Sequence, residues 1–318
     1  MIPRRSGLYL KELPVYRRWR TGVSTIKKPW LKEINYLHAN NLSMRFLFLI
    51  TSFLLINHTQ AQTNSLASKF PTDSNYFSSF DGTKIYYEVR GEGKPVLLVH
   101  GFIVNSNSWK HAALYTDLLN HGYKVIILDM RGNGKSDKPH DSTAYDNDAE
   151  AKDIMLLLNL LKINQYNVVG YSRGSIITAR LLVLDKRIKN AVLGGMGIDF
   201  TNPEWPRRIM FYHALHGDSV PELKSMVDNV RSQKNLDQLA LAYLQRSQPS
   251  TSKEELSKIK KPVLVISGSE DSDNGSAAEL AKLLPNSTVA TVPGDHNHAS
   301  ATAEFSKKVL SFFQKNNY

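Results

Sequence analysis

Residues 166–182 read YNVVGYSRGSIITARLL: an apolar run, the pentapeptide Gly-Tyr-Ser-Arg-Gly, and a stretch with helical composition. A G-x-S-x-G sequence between a strand and a helix predicts a nucleophile elbow, a strained turn that presents its serine, here Ser172. Gly170 and Gly174 carry no side chain that would collide with that serine. The bare pattern is short, so the strand before it and the helix after it carry the prediction. An ordinary glycine-bounded turn with a solvated serine is the alternative.

Strand and helix patterns alternate along most of the chain, beginning with a predicted hairpin that turns at Asp81-Gly82. The predicted strands are 77–80, 84–89, 96–99, 124–129, 166–169, 191–193, 262–266 and 288–292. The predicted helices are 110–120, 148–161 with Asp148 as cap, 175–182, 276–284 and 303–313. This alternation predicts an α/β fold with a mostly parallel sheet flanked by helices. Residues 199–257 contain no strand pattern and predict a helical insertion.

The chain has 318 residues, a formal net charge of +11 and a hydrophobic fraction of 42%, enough for a sizeable core. The positive charge is uneven, because the first 43 residues hold nine Lys and Arg against two Glu. The rest of the chain is only mildly basic, so a nucleic-acid partner is not expected. There is no cysteine, so no disulfide supports the fold.

Residues 44–61 have the three-part form of a secretory signal: a basic start, the apolar run 46–56, and a Thr59-x-Ala61 cleavage site. The apolar run is short for a membrane-spanning helix, so we expect only transient membrane contact during export to the periplasm or medium. A buried helix, with cytoplasmic location, and a retained anchor are the alternatives. Met44 is the expected initiator, which makes residues 1–43 a doubtful extension; a long basic n-region is the other interpretation.

Two later turns supply partners for Ser172. A serine hydroxyl becomes a strong nucleophile when a base removes its proton and a carboxylate orients that base. Asp271 lies in the turn 268–271 (GSED) and His296 in the turn 293–296 (PGDH), each after a predicted strand. Because a parallel sheet gathers such turns at one edge, the sequence predicts a Ser172, Asp271 and His296 triad.

Each partner has a rival nearby. Glu270 and Asp273 compete with Asp271, which the Gly-x-x-Asp spacing favours, and His298 competes with His296. A further pair, His213 and His216, has helical spacing that could mimic half a metal site, but surface or cap packing is the default expectation.

At this point the chain resembles the α/β-hydrolase superfamily over about residues 77–313. His100-Gly101-Phe102, with Trp109 downstream, looks like the family's oxyanion loop, and residues 129–139 (DMRGNGKSDKP) are similar to its D-x-R-G-x-G-x-S-D-x-P segment. The resemblance implies one α/β-hydrolase domain over 70–318, with a helical cap at about 199–257. It also implies an oxyanion held by the backbone N–H groups of Phe102 and Arg173. Arg173 departs from the smaller residue common there, and its side chain needs a carboxylate or solvent.

The resemblance further implies a serine hydrolase, with a carboxylesterase acting on a small-molecule ester as the leading expectation and no metal or organic cofactor. Lactone, amide or carbon–carbon bond hydrolysis, perhydrolysis, and a non-catalytic ligand-binding protein remain alternatives. Ser rather than Asp at the elbow disfavours dehalogenases and epoxide hydrolases of this fold. The insertion should cover the pocket, where its aromatic residues line an apolar acyl or alcohol site or else pack in the core. These residues are Trp205, Phe211, Tyr212 and Tyr243.

Overall fold

The computed structural model describes residues 72–316. The predicted signal segment 44–61 and the doubtful extension 1–43 lie outside the described residues, so both remain predictions. Within residues 72–316, no helix is long and apolar enough to cross a membrane.

An eight-stranded sheet forms the centre of the described chain, in the spatial order β1-β2-β4-β3-β5-β6-β7-β8. The strands are β1 (Thr72–Ser78), β2 (Lys84–Arg90), β3 (Pro95–Val99), β4 (Lys124–Leu128), β5 (Tyr166–Tyr171), β6 (Ile188–Gly194), β7 (Val263–Gly268) and β8 (Ser287–Val292). β2 pairs antiparallel with β1 and β4, and the remaining pairs are parallel. The predicted mostly parallel sheet is confirmed.

Ten α-helices occur in the described residues. They are α1 (Asn107–Lys110), α2 (Ala113–Asn120), α3 (Ala149–Leu160), α4 (Arg173–Leu184), α5 (Pro206–His216), α6 (Lys224–Ser232), α7 (Gln238–Arg246), α8 (Lys253–Ser257), α9 (Ala277–Lys282) and α10 (Ala303–Lys315). Short 3₁₀ turns occupy Ser142–Tyr145, Ile198–Thr201, Pro221–Leu223 and Ala299–Ala301.

The sheet separates two apolar layers. Along β3, Leu97 and Val99 pack into one cluster with α3 and α4, whereas Val96 and Leu98 pack into the other with α2 and α10. Successive side chains of a strand point to opposite faces, so a continuous apolar run fills both layers. The helices therefore cover both sides of the sheet.

The connection from β6 to β7 is a helical cap, as predicted. Helices α5, α6 and α7 share a cluster of their own with Tyr145, which comes from the loop before α3. Their packing leaves a space between this cap and the ends of the central strands.

Three local predictions are wrong in detail. The helix predicted for 110–120 is interrupted at Ala112, whose backbone is extended (φ −90°, ψ 142°), so it forms α1 and α2. Asp148 does not cap α3, because its backbone is left-handed and its carboxylate pairs with Arg180 at 2.8 Å. β1 runs over 72–78 rather than 77–80, because its pairing with β2 extends from Ser78↔Lys84 back to Thr72↔Arg90.

Arg131, from the segment 129–139, is fully buried under the loop that precedes α3. Its guanidinium bonds Asp153 of α3 at 2.6 and 2.7 Å and Asp81 of the β1–β2 turn at 2.7 Å, and it also donates to the carbonyl of Ala144. Burial opposes its charge, but the two carboxylates together raise the pKa of Arg131. This arginine therefore ties the hairpin, α3 and the loop under the cap to one another.

Replacing Arg131 by Met should lower the free energy of unfolding by about 3–5 kcal/mol, because it leaves the carboxylate of Asp153 buried without its partner. Urea unfolding at neutral pH measures this loss. Arg246→Met is the matched control, since Arg246 pairs with Asp146 at 2.9 Å on the surface and should cost less than about 1 kcal/mol. Equal losses in the two variants would contradict the structural role of the buried network.

Candidate active site

Ser172 lies at the junction between β5 and α4, where its backbone has φ 53° and ψ −124°. This conformation is unfavourable for a residue with a side chain and persists only where the surroundings enforce it. One enforcing contact is the hydrogen bond from the N–H of Ser172 to the carbonyl of Gly194 on β6, at 2.8 Å. The predicted strand, turn and helix are all present around the serine.

The two elbow glycines are required for a reason that differs from the predicted one. A Cβ on Gly170 would lie 2.2 Å from the carbonyl oxygen of Gly174, and a Cβ on Gly174 would lie 2.2 Å from that of Val99. The collisions are therefore with backbone carbonyls rather than with the serine side chain. Close packing of α4 against β3 and β5 fixes the turn.

The structure brings Ser172, His296 and Asp271 together. The Nε2 atom of His296 lies 2.8 Å from the Oγ of Ser172, and its Nδ1 lies 2.9 Å from a carboxylate oxygen of Asp271. A carboxylate only accepts hydrogen bonds, so Nδ1 carries the proton and Nε2 is free to accept one from the serine hydroxyl. The Asp271 side chain is 4% exposed, and that of His296 is 18% exposed.

Close contact between two loops aligns the histidine with the aspartate. β7 and β8 are neighbours, and the turns that follow them meet where a Cβ on Gly268 would lie 2.1 Å from the carbonyl oxygen of Gly294. That carbonyl accepts the N–H of Glu270 at 3.1 Å. The Gly-x-x-Asp turn and the Pro-Gly turn thus form one packed unit.

The rival residues lie outside this arrangement. His298 is 78% exposed and pairs with Asp295 at 2.7 Å. Asp273 faces Arg207 at 3.5 Å, and Glu270 is exposed. The structure therefore places His296 beside the serine and Asp271 beside His296, and not these neighbours.

Two residues that the sequence analysis missed lie against His296. The hydroxyl of Tyr171, the variable residue before the elbow serine, donates to the carbonyl of His296 at 2.7 Å. The amide of Asn274 donates to the carbonyl of Gly195 at 3.2 Å and lies 3.5 Å from the Nδ1 of His296. Tyr171 could have been suspected from its place in the pentapeptide, but nothing in the sequence around Asn274 signals its contacts.

The segment 129–135 fixes the predicted oxyanion loop. The Asp129 carboxylate accepts the N–H of Ser106 at 2.8 Å, and the Asn133 amide donates to the carbonyl of Val104 at 3.1 Å. His100, buried beneath the loop, accepts the N–H of Met130 at Nε2 (3.0 Å) and donates from Nδ1 to the carbonyl of Gly101 (2.8 Å). These contacts hold His100 neutral, and its burial lowers the pKa of the imidazole.

The two predicted oxyanion donors, Phe102 and Arg173, both line the cavity into which Ser172 opens. The N–H of Arg173 is the first in α4, where N–H groups have no carbonyl partner within the helix. It is therefore available to a ligand, and the helix N-terminus adds a partial positive charge there. The oxyanion role of the two N–H groups remains a prediction.

The side chain of Arg173 finds the carboxylate that its burial requires. Its guanidinium forms a paired contact with Glu150 of α3, and both side chains are at most 5% exposed. The same guanidinium donates to the carbonyl of Leu244 in cap helix α7 at 3.0 Å. Arg173 thus links the elbow, α3 and the cap.

The cavity above Ser172 has a volume of about 350 Å³. Of the four predicted cap aromatics, Trp205 and Phe211 line it, whereas Tyr212 and Tyr243 pack in the cap cluster. Trp109 also lines it, and its buried indole N–H has no hydrogen-bond partner in the described part of the chain. The cap thus contributes two aromatic side chains to the wall, beside polar and cationic ones.

Residues 72–316 contain no group of three or more His, Asp or Glu side chains arranged to hold a metal ion. His213 pairs with Asp218 at 2.6 Å, and the ring of His216 lies 5.2 Å from that of Tyr212. Both histidines therefore make the surface and cap contacts that were the default expectation.

Replacing Arg173 by Met should lower the free energy of unfolding by about 3–5 kcal/mol, because Glu150 loses its partner in a buried site. Adding Glu150→Leu should recover much of that loss, since an apolar pair needs no charge compensation. Chemical denaturation of the single and double variants measures both effects. A double variant as unstable as the single one would mean that the ion pair is not the cause.

The neutral state of His100 predicts a pH dependence of stability. Below about pH 6.5 the unfolded chain binds more protons at this histidine than the folded chain does, so the free energy of unfolding falls on acidification. A full proton difference sets the upper limit of the slope, about 1.4 kcal/mol per pH unit. Urea unfolding between pH 5 and 8 should show a smaller slope for His100→Gln, with a difference of up to that limit. Parallel curves would contradict the burial argument.

Comparison with known proteins supports the fold. The sequence profile of the alpha/beta hydrolase fold matches residues 94–216. A non-heme chloroperoxidase of Streptomyces lividans is 37% identical over 117 residues, 36% of this chain and 41% of the relative. Epoxide hydrolase 3 of Siraitia grosvenorii is 37% identical over 97 residues, 30% of this chain and 30% of the relative. The matched segments therefore span less than half the length of these relatives.

Among solved structures, the bromoperoxidase from Bacillus anthracis superposes with a TM-score of 0.63 at 23% identity, covering 76% of this chain and 100% of that one. At this identity the likeness shows the fold. The profile match contains the oxyanion loop, the segment 129–139 and the elbow, and the superposition spans the sheet and helices on which they lie. The chain therefore has the α/β-hydrolase fold.

Proposed function

We propose that this protein is a serine hydrolase that cleaves carboxylic esters through an acyl-enzyme. The observation that carries the proposal is the hydrogen-bonded chain from Ser172 through His296 to Asp271, with contacts of 2.8 and 2.9 Å. Ser172 and His296 line a cavity of a size that suits a small-molecule ester. Proteins with this fold catalyse different reactions. The proposal therefore rests on the site and not on the fold.

In the first half of the reaction, the Oγ of Ser172 attacks the ester carbonyl carbon while His296 accepts the hydroxyl proton at Nε2. Asp271 stabilises the resulting imidazolium through Nδ1–H. The tetrahedral oxyanion is held by the backbone N–H groups of Arg173 and Phe102, and removal of one such donor typically costs about 3 kcal/mol of barrier. His296 then returns the proton to the departing alcohol, and the acyl group remains on the serine.

In the second half, water attacks the acyl carbon and His296 removes its proton. Collapse of the second tetrahedral intermediate releases the carboxylic acid and restores the serine hydroxyl. The hydrogen bond from Tyr171 to the carbonyl of His296 keeps the histidine loop fixed through both halves. Positioning of this kind contributes as much to the rate as the chemistry of the groups themselves.

Acyl transfer to hydrogen peroxide is a second candidate, which the name of the Streptomyces lividans relative favours. Peroxide would replace water in the second half and leave as a peracid, with the same serine, histidine and proton transfers. Lactone, amide and carbon–carbon bond hydrolysis use the same residues as well. Peracid formation from acetate and peroxide, measured by oxidation of bromide, tests the perhydrolase candidate.

Ester hydrolysis is tested with p-nitrophenyl esters of increasing acyl length and a fluorophosphonate probe. We expect wild type to be labelled at Ser172 and to hydrolyse the esters. Ser172→Ala and His296→Ala should lower kcat by at least about 10⁴-fold, because each removes a member of a group that acts as a unit. Asp271→Asn should lower it by about 10⁴-fold through loss of the tautomer that the carboxylate enforces.

His298→Ala is the matched control, because this exposed histidine lies two residues further along and contacts Asp295 instead. It should retain wild-type kcat. Folded wild type that is neither labelled nor active would overturn the hydrolase proposal in favour of a ligand-binding protein. Activity lost with His298→Ala but kept with His296→Ala would reject the proposed base.

A further inference from the structure

The wall of the cavity above Ser172 has an uneven charge. Among residues 72–316, none of those that line it is acidic, whereas three are arginines: Arg173, Arg207 and Arg208. An ester that is neutral throughout needs no cationic group in its site. The balance of charge in this cavity therefore depends on how each arginine is compensated.

Arg173 is neutralised by Glu150, as described above. Arg208 instead donates to three backbone carbonyls, those of Gln245, Arg246 and Pro203, at 2.6 to 3.0 Å. The first two belong to the last residues of α7, where free carbonyls carry only part of a negative charge. These bonds fix Arg208 as a brace between α5 and α7, and its positive charge is only partly offset.

Arg207 is the most available cation. Its guanidinium lies 5.1 Å from the ring centroid of Phe211, which holds it at the cavity wall. Its ion pair with Asp273 is long, at 3.5 Å, and the two side chains are 39% and 52% exposed. Exposed pairs of this kind are weak and exchange readily. A carboxylate on a bound ligand can therefore take the place of Asp273.

The cavity surfaces next to Arg207 are apolar, whereas Asp199 and Asp273 line a second depression that Arg207 shares. Trp205, Phe211 and Met196 line the cavity and provide contacts for an aliphatic arm. An apolar arm that ends in a carboxylate would pack against these side chains and place its charge beside the guanidinium of Arg207. A guanidinium matches the geometry of a carboxylate well.

We infer that this site selects esters that carry a carboxylate at the end of an aliphatic arm, and that Arg207 is the residue that recognises the carboxylate. The inference rests on the proposed ester hydrolase function for the reaction, but the recognition step is a binding event in its own right. A half-ester of an aliphatic dicarboxylic acid is the simplest ligand of this class.

Binding is measured without turnover in Ser172→Ala protein by calorimetric titration with monomethyl adipate and with dimethyl adipate. The two probes share a skeleton and differ in one negative charge. We expect the monoester to bind at least about tenfold more tightly, the range of a charge-assisted hydrogen bond, and this preference should shrink as salt is added. Equal affinities would overturn the inference.

Arg207→Gln in the same background should lower the preference by at least about tenfold. Asp273→Asn should raise it, because the competing carboxylate is gone. Arg246→Gln is the matched control, since Arg246 lies on cap helix α7, is 38% exposed and does not line the cavity. A preference that is unchanged by Arg207→Gln, or that falls equally with Arg246→Gln, would reject Arg207 as the recognition residue.

The kinetic counterpart compares the p-nitrophenyl half-ester of adipic acid with its methyl-capped, neutral form. In wild type, kcat/KM should favour the charged ester, and Arg207→Gln should lower that ratio at least about tenfold. Wild type that binds the monoester selectively but hydrolyses neither substrate would defeat the hydrolase proposal and leave the recognition site standing. If wild type hydrolyses both substrates at equal kcat/KM and binds both adipate esters equally, the recognition inference fails and the hydrolase proposal stands.

Discussion

The contact of α4 with β3 and β5 through two glycines is the constraint on which the site depends. A side chain at Gly170 or Gly174 would come within 2.2 Å of a backbone carbonyl, so only glycine lets the helix start this close to the sheet. With the helix starting there, Ser172, which connects β5 to α4, is held in an unfavourable backbone conformation. The strained backbone of Ser172, and hence the direction of its hydroxyl, follows from packing below it.

The remaining parts of the site are held by contacts that reach between neighbouring loops. The segment 129–135 supports the oxyanion loop through Asp129, Asn133 and Met130, and the turns after β7 and β8 support each other through Gly268 and Gly294. Most of these bonds involve backbone groups, which keeps the geometry independent of the conformations of long side chains. The geometry of the site is therefore fixed by its own contacts, as the proposed hydrolysis requires.

Two buried arginines each pair with a carboxylate of α3 but join different parts of the fold. Arg131 joins the hairpin, α3 and the loop under the cap, and Arg173 joins the elbow, α3 and cap helix α7. Each pairs with a buried carboxylate, so neither arginine can be removed alone without leaving an unpaired charge in a low dielectric. The cap is thereby fixed to the elbow by a charged contact, while Arg207 and Arg208 leave positive charge at the cavity.

The order of the elements, the sheet, the elbow serine and the two turns that carry Asp271 and His296 could be predicted from the sequence, because each depends on local patterns or on motifs that need one residue type at one place. The sequence also determined that Arg173 would need a partner. It did not identify Glu150 as that partner, nor the Tyr171 and Asn274 contacts, because these join positions that are distant along the chain. Likewise the break at Ala112 and the ion pair of Asp148 with Arg180 depend on neighbours that appear only after folding. The choice between His296 and His298, the division of the cap aromatics between core and cavity, and the charge of the cavity wall were decided by tertiary structure, since side-chain distance and burial are properties of packing and not of spacing along the chain.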